Sequence, residues 1–236
     1  MINILFLYSS MEVPDIIWEL GSLRHVYMSD VISKKPFKID VLQELLTLTS
    51  VSIDDDELLG LKTSFPLQKL GVHDLDGNTD VSKLFGLLSN LKYFRHLTLR
   101  GHSFRSMPCL DELGIIENLR TVKLDGRLDR LPKSFPPQMS SLTLANSCLD
   151  EDPMPLLGKL RGLYDLKLRN AYTGQQMGIR ESGLEVLKVL CIENLLNLRN
   201  LQIGKGALLS LRKLEIHNCP YLDTLPEEVR SMHRPK

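Results

Sequence analysis

An apolar pattern of the form LxxLxL, in which Ile, Val, Met or Phe can replace Leu, recurs along the whole chain. Ten of the matches form a series whose members begin 21, 25, 19, 27, 25, 20, 24, 24 and 24 residues apart. Single matches are weak evidence, but this regular spacing predicts an array of about ten repeats. These ten matches begin at Ile2, Leu23, Leu48, Leu67, Phe94, Leu119, Met139, Leu163, Leu187 and Leu211.

Each match predicts a short strand. Side chains alternate between the two faces of a strand, so the second and third apolar positions point inward together. One repeat cannot bury its own apolar face, and neighbouring strands are therefore expected to stack in parallel at about 4.8 Å. The period is that of a leucine-rich repeat. We predict an α/β leucine-rich-repeat solenoid, a horseshoe with a concave parallel sheet of about ten strands.

The segments that return from one strand to the next are predicted to be irregular or to hold short helices. Residues 79–94 carry an apolar stripe at helical spacing, with Thr79 or Asp80 as the cap. Residues 150–160 predict a second helix, with Asp152 as the cap and Pro153 in its first turn. The repeats run throughout, so we expect one leucine-rich-repeat domain over residues 1–236.

The composition agrees with a repeat protein and excludes a general nucleic-acid binder. Leucine provides 48 of the 236 residues, and aromatic residues provide only 6%. The formal net charge is zero, whereas a nucleic-acid or membrane-surface binder would carry a basic excess. The charge is unevenly distributed, because residues 1–118 carry a net charge of −5 and residues 119–236 one of +5.

No motif for catalysis, cofactor binding or metal binding occurs in the sequence. The four cysteines are 28 to 43 residues apart, without the close pairs that zinc sites use. GxSxG, HExxH, GxGxxG and the phosphate-binding loop are absent. We therefore expect a protein that is not an enzyme and needs no cofactor. No apolar run reaches the ~20 residues of a membrane span, and the reduced thiols we expect suit the cytoplasm.

The chain resembles the leucine-rich-repeat region of plant nucleotide-binding leucine-rich-repeat (NLR) disease-resistance proteins, most closely the coiled-coil class. The resemblance rests on three segments: VPDIIWELGSLRHVYM, LPKSFPPQMSSLTLANSCLDEDPMPLLGKLRGLYDLKLRNAYTG and GALLSLRKLEIHNCPYLDTLPEEV. A full receptor of this kind has a coiled coil and a nucleotide-binding domain before the repeats, and we expect this chain to lack both. The triplet Val72-His73-Asp74 is similar to a motif of that nucleotide-binding domain, but it falls inside a predicted strand, so we interpret it as a coincidence.

The resemblance implies a protein-recognition module of a plant innate-immune receptor. Its expected partners are a pathogen effector, a guarded host protein or the receptor's own nucleotide-binding domain, which it would restrain. The alternative is a substrate receptor of a ubiquitin-ligase complex, since leucine-rich repeats serve there too. An F-box-like helical segment before Ile2 would favour the alternative, and this sequence contains none.

The best candidate for a partner-binding surface is the concave face of the predicted sheet. Its polar positions carry many basic side chains, interrupted by Asp125 and Asp165, which we predict to form a basic stripe. A solvated face of mixed charge is the other interpretation. The candidate contact residues are Arg95, His96, Arg100, Arg120, Lys123, Lys167, Arg169, Lys188, Arg212 and Lys213.

Overall fold

The computed structural model describes residues 3–7, 20–28, 41–52, 65–102 and 104–222. These residues form twelve strands and two α-helices, α1 (Ser82–Ser89) and α2 (Met154–Leu157), with a 3₁₀ helix at Asp111–Ile115. The strands are β1 Ile4–Leu7, β2 His25–Met28, β3 Thr47–Ser52, β4 Lys69–Leu75, β5 His96–Gly101, β6 Thr121–Asp125, β7 Ser141–Ala145, β8 Asp165–Arg169, β9 Gln176–Ile179, β10 Val189–Glu193, β11 Asn200–Ile203 and β12 Lys213–His217.

The chain divides into two compact units. The first holds Met1–Arg120 and Pro132–Pro137, and the second holds Thr121–Leu131 and Gln138–Lys236. Within the first unit β1 to β5 are parallel neighbours in chain order. Within the second unit the order is β6, β7, β8, β10 and β12, again all parallel. The predicted ten-strand parallel repeat fold is therefore confirmed, with five repeat strands in each unit.

The inward apolar positions form the core of each unit. In the second unit Leu166, Leu190 and Leu214 are register partners, and Leu168, Ile192 and Ile216 form the next row. All of these are buried except Ile216, which is half-buried. The first apolar position of a repeat closes a turn at the start of its strand: the amide of Leu187, for example, donates to the carbonyl of Leu184 at 3.1 Å.

The third repeat corrects the predicted frame. Leu48 aligns with Val26 and Leu70, so it occupies the second inward position and not the first. Leu45 begins this repeat, because its amide closes the turn onto the carbonyl of Leu42 at 3.1 Å. An irregularity follows Leu48, where Ser50 adopts a φ of 58°, and Val51 then fills the third position opposite Val72. Sequence reasoning missed this frame because the extra residue places a serine where the motif requires an apolar side chain. Ile53, the third position in the predicted frame, and Ile2 lie outside the described residues.

Asparagines turn the chain out of the sheet in the second unit. Asn146, Asn170, Asn194 and Asn218 follow β7, β8, β10 and β12, each with φ between 47° and 56°. This left-handed conformation is costly for most L-residues but accessible to asparagine. The amide of Asn170 donates to the carbonyl of Glu193 at 2.8 Å, and its side-chain Nδ2 donates to Oδ1 of Asn146 at 3.2 Å. These residues therefore satisfy polar groups at the strand ends, where the ladder stops.

The return segments confirm both predicted helices and add a second sheet. The predicted caps were each misplaced, because the N-cap residues are Val81 for α1 and Pro153 for α2. Asp80 Oδ1 accepts from the amide of Ser82 at the start of α1, and Asp152 Oδ1 accepts from the amide of Met154 at the start of α2. β9 and β11 pair in parallel outside the main sheet, which the sequence analysis did not foresee. Asp152 also binds this sheet, since its Oδ2 accepts from the amide of Gly178 at 2.8 Å. The single-domain assignment stays a prediction. In the described part of the chain, no helix combines the length and apolar character that crossing a bilayer requires.

Truncating Leu190 to Ala is expected to destabilise the protein by ~2–5 kcal/mol, because it opens a cavity between two neighbouring leucines in the core. Chemical denaturation measures the free energy of unfolding. Leu209→Ala is the matched control, because that side chain is 74% exposed. Equal unfolding free energies for the two variants would contradict the inward ladder.

Replacing Asn170 separates the two contributions of the strand-end asparagine. Asn170→Ala removes the side-chain hydrogen bond and also places alanine at a φ of 47°, so we expect a loss of about 1–3 kcal/mol. Asn170→Gly removes only the hydrogen bond, because glycine adopts positive φ readily. The glycine variant should therefore unfold at a higher denaturant concentration than the alanine variant. The opposite order would show that the backbone conformation is not what selects asparagine here.

Candidate interaction surface

The outward side chains of the parallel strands form a polar face in each unit. In the second unit the register arranges them in three rows across β6, β7, β8, β10 and β12, and we call this surface the polar face of the second unit. The inward leucines fix its geometry, because alternate residues of a strand point to opposite sides. The rows are Thr121–Ser141–Asp165–Val189–Lys213, Lys123–Thr143–Lys167–Cys191–Glu215 and Asp125–Ala145–Arg169–Glu193–His217.

The ten predicted contact residues fall into two groups. Six lie within strands: His96 and Arg100 in β5 of the first unit, and Lys123, Lys167, Arg169 and Lys213 in the second. Arg95, Arg120, Lys188 and Arg212 each lie one residue before a strand. This second group follows the edge where strands begin. The amide of Arg120 donates to the carbonyl of Arg95, and the amide of Arg212 donates to the carbonyl of Lys188, both at 2.9 Å.

The cations of the second unit are spaced rather than adjacent. Thr143 stands between Lys123 and Lys167 in the middle row, and Ala145 stands between Asp125 and Arg169 in the next. Since neighbouring strands are about 4.8 Å apart, the backbones that carry Lys123 and Lys167 are separated by roughly 10 Å. The predicted stripe is thus a set of cations with a small side chain between them.

Ion pairs within single strands compensate part of this positive charge. Lys123 Nζ lies 3.1 Å from Asp125 Oδ2, and Lys213 Nζ lies 3.0 Å from Glu215 Oε1. Lys167 Nζ lies 3.8 Å from Asp165 Oδ2. The lysine side chains of these pairs are 39–60% exposed, whereas the carboxylate side chains are only 15–33% exposed. The ammonium groups therefore remain accessible to a partner.

The remaining cations differ in how far they are available. Arg95 is half-buried, and its Nη1 donates to the carbonyls of Phe94 at 2.7 Å and Lys92 at 3.0 Å, so it holds its own turn. Lys188 Nζ lies 4.6 Å from the centre of the Tyr164 ring, in a cation–π contact. Arg169 and Arg212 are exposed, and neither side chain contacts another residue in the described ranges by hydrogen bond or ion pair.

His96 contributes a neutral ring to the first unit's face. Partial burial lowers the pKa of His96 below 6.5, and the positive charges of Lys69 and Arg95 lower it further. Lys69 is its register partner on β4, which places this positive charge beside the ring. At neutral pH His96 therefore offers a hydrogen-bond donor and an acceptor, and the cations on either side supply the charge.

Acidic residues that the sequence analysis did not single out share the polar face of the second unit. Glu215 is the register partner of Cys191 on β12, and Glu193 lies two residues after Cys191 on β10. Burial raises the pKa of the Cys191 thiol, and the charges of Glu215 and Glu193 raise it further, so this cysteine is a protonated, weak nucleophile. No three His, Cys, Asp or Glu side chains of the described ranges are grouped to hold a metal ion. The arrangement provides binding contacts rather than an activated nucleophile.

An aromatic cluster occupies the outward face of β1 and β2. The rings of Phe6 and Tyr27 stack with centroids 5.0 Å apart, and His25 stacks on Tyr27 at 6.3 Å. Phe6 is 56% exposed and Ile4 beside it is 51% exposed. Outward apolar side chains of this size often mark contact surfaces. The signal was present in the sequence, since Ile4 and Phe6 occupy positions of the repeat that are usually polar.

Two histidines converge on one carboxylate at the end of β4. His73 Nδ1 lies 2.6 Å from Asp74 Oδ2, and His102 Nδ1 lies 3.2 Å from Asp74 Oδ1. Burial raises the pKa of Asp74, but the hydrogen bond with His102 and the charge and hydrogen bond of His73 outweigh it and bring the pKa below 3.8. The triplet Val72-His73-Asp74 lies inside β4, as predicted, and this cluster links β4 to the residue after β5.

Curated proteins similar to this chain are plant disease-resistance proteins. The chain is 30% identical over 98% of its length to a probable disease resistance protein, RF9, of Arabidopsis thaliana. It is 26% identical over 93% of its length to disease resistance protein RPP8 of the same plant. The chain spans about a quarter of the length of these relatives, 23% of RF9 and 25% of RPP8. The predicted resemblance is confirmed, although no protein-family model matches the chain.

A solved structure supports the fold independently of sequence. An internalin from Listeria monocytogenes matches with a TM-score of 0.52 at 17% identity, covering 94% of this chain and 74% of the internalin chain. At this identity the likeness concerns the repeat fold alone.

Replacing Lys69 by Gln is expected to move the pKa of His96 upward, toward 6.5, because it removes a cation from the neighbouring strand. The measurement is an NMR titration of the His96 ring proton between pH 4 and pH 8. Lys83→Gln, an exposed change on α1, serves as the control. An unchanged His96 midpoint in Lys69→Gln would show that the two side chains do not interact.

Proposed function

Because the chain is similar along nearly its whole length to plant disease-resistance proteins and is built of leucine-rich repeats, we propose that it is a protein-recognition module of a plant immune receptor. The observation that carries this proposal is a polar face on which accessible lysine side chains stand in fixed register above a ladder of buried leucines. A rigid sheet presents its side chains in fixed positions, which limits the entropy lost when a protein partner binds.

The proposed partner presents carboxylates to the polar face of the second unit. Arg169 and Arg212 are exposed and reach solvent without an ion pair among the described residues. Lys123 and Lys167 flank Thr143, so one partner carboxylate placed above that threonine would form ion pairs with both ammonium groups. The side chains of these lysines are 39% and 49% exposed, so a partner carboxylate can reach the ammonium groups while their pairs with Asp125 and Asp165 remain.

Binding rather than catalysis is the role that these groups support. The thiol in the middle row is kept protonated by burial and by Glu215 and Glu193. Lys167, the register partner of Cys191, lowers the pKa of the thiol, but burial and the carboxylates outweigh this effect. In the cytoplasm of a plant cell, such a face would sense a pathogen effector or an altered host protein. In the resting state it would hold the receptor's own nucleotide-binding domain.

Reversing two charges on this face is expected to weaken that docking. Lys123→Glu with Lys167→Glu should reduce affinity for a receptor nucleotide-binding domain at least tenfold, because both contacts become repulsive. Titration at two salt concentrations measures this, and the parent should lose more affinity with salt than the variant does. The titrated domain is the nucleotide-binding domain of a full-length plant disease-resistance relative such as RF9.

The control pair carries the same change of charge away from the polar face. Arg180→Glu with Lys205→Glu alters two exposed cations of the return segments and should leave affinity within about twofold, which is less than 0.5 kcal/mol. Melting midpoints of both variants check that folding is intact. If both double variants lose the same affinity, the effect is due to net charge alone. If neither loses affinity, docking through this face is excluded.

A further inference from the structure

A cavity of about 630 Å³ lies on the return side of the second unit, away from its polar face. One wall is the turn after α2, with Gly158, Lys159 and Arg161. The other wall comes from the next repeat, residues 182–186. Its volume is in the range of pockets that hold small organic ligands. We propose that this cavity binds a hydroxylated phosphomonoester, a small molecule of the sugar-phosphate class.

The cations of the first wall supply the phosphate-binding groups. Lys159 and Arg161 are both exposed, and among the described residues neither side chain is engaged in a hydrogen bond or an ion pair. Ser182 offers a hydroxyl donor on the opposite wall. Phosphate oxygens accept hydrogen bonds from all three kinds of group: the ammonium, the hydroxyl and the planar guanidinium, which can bind two oxygens at once.

The second wall selects what accompanies the phosphate. Leu184 is buried and provides an apolar surface, with the half-buried Val186 beside it. Glu185 is exposed in the same lining, and its carboxylate repels a bare anion. A ligand that also carries hydroxyl groups can donate to Glu185 while its phosphate binds the cations. The three kinds of lining group therefore favour a phosphomonoester with hydroxyls over inorganic phosphate.

The charge pattern is specific to this pair of repeats. Counting 24 residues onward, which is the register spacing of β8 and β10, Lys159 and Arg161 correspond to Gly183 and Glu185. The next return segment therefore carries no cations at these two positions. Lys205, an exposed cation of the return segment before β12, lies outside the cavity lining and serves as a control for charge alone.

The test is an NMR titration of the whole chain with glucose 6-phosphate, inorganic phosphate and glucose at low salt. Glucose 6-phosphate is expected to shift the amides of Gly158, Gly183 and Leu184 in a saturable way and to bind more tightly than inorganic phosphate. Glucose should produce no shift. Lys159→Ala with Arg161→Ala should weaken glucose 6-phosphate at least tenfold, and Lys205→Ala should leave it within twofold.

Glu185→Gln tests the selection. It should tighten inorganic phosphate and reduce the preference for the sugar phosphate, because the repelling carboxylate is gone. Equal weakening by the double variant and Lys205→Ala, or no saturable shift with glucose 6-phosphate, would overturn the proposal. So would a phosphoserine peptide or phosphoinositide vesicles that bind while glucose 6-phosphate does not. The polar face is unchanged in these variants, so the outcome is independent of the docking proposed above.

Discussion

Burial of inward leucines by the neighbouring strand is the constraint on which the rest of the structure depends. A single repeat exposes its apolar face, and only a parallel strand about 4.8 Å away covers it. The same backbone ladder fixes where every outward side chain stands. The alignment of Leu166, Leu190 and Leu214 therefore determines the positions of Lys167, Cys191 and Glu215 on the other side. Core packing and the chemistry of the polar face are two results of one register.

Much of the fold could be predicted because the repeat pattern is redundant. Leu187, Leu190 and Ile192 together predict β10, and the neighbouring strands show the same pattern at the same spacing. The third repeat shows where this reasoning fails. Leu45 and Leu48 occupy the first two apolar positions of this repeat, but Ser50 interrupts the pattern. A false match that begins three residues later, at Leu48, fits the pattern instead. The paired strands β9 and β11 were missed for two reasons: Gly174 replaces the first apolar residue of the pattern before β9, and the match at Leu198, which leads into β11, lies between the regularly spaced ones.

The sequence predicts which side chains the candidate face carries, but not which of them form ion pairs or hydrogen bonds with each other. Strand alternation alone places Lys123, Lys167 and Arg169 outward, as the structure shows. Whether a lysine pairs with the carboxylate two residues away depends on side-chain rotamers, on which the sequence is silent. The capture of Arg95 by the carbonyls of its own turn is of the same kind. Local pairing divides the ten residues into those that hold the fold and those that can meet a partner.

The equal spacing of β8, β10 and β12 has a consequence for how such a chain can change in length. Each of these strands begins 24 residues after the one before, with identical pairing. Removing 24 residues would join β8 directly to β12 with every apolar side chain still inward, whereas removing 23 would turn them all outward. Whole repeats of 24 residues can thus be removed or exchanged without changing which side chains face the core. Recombination between copies of the gene can alter which charges the face displays while the scaffold beneath keeps its geometry.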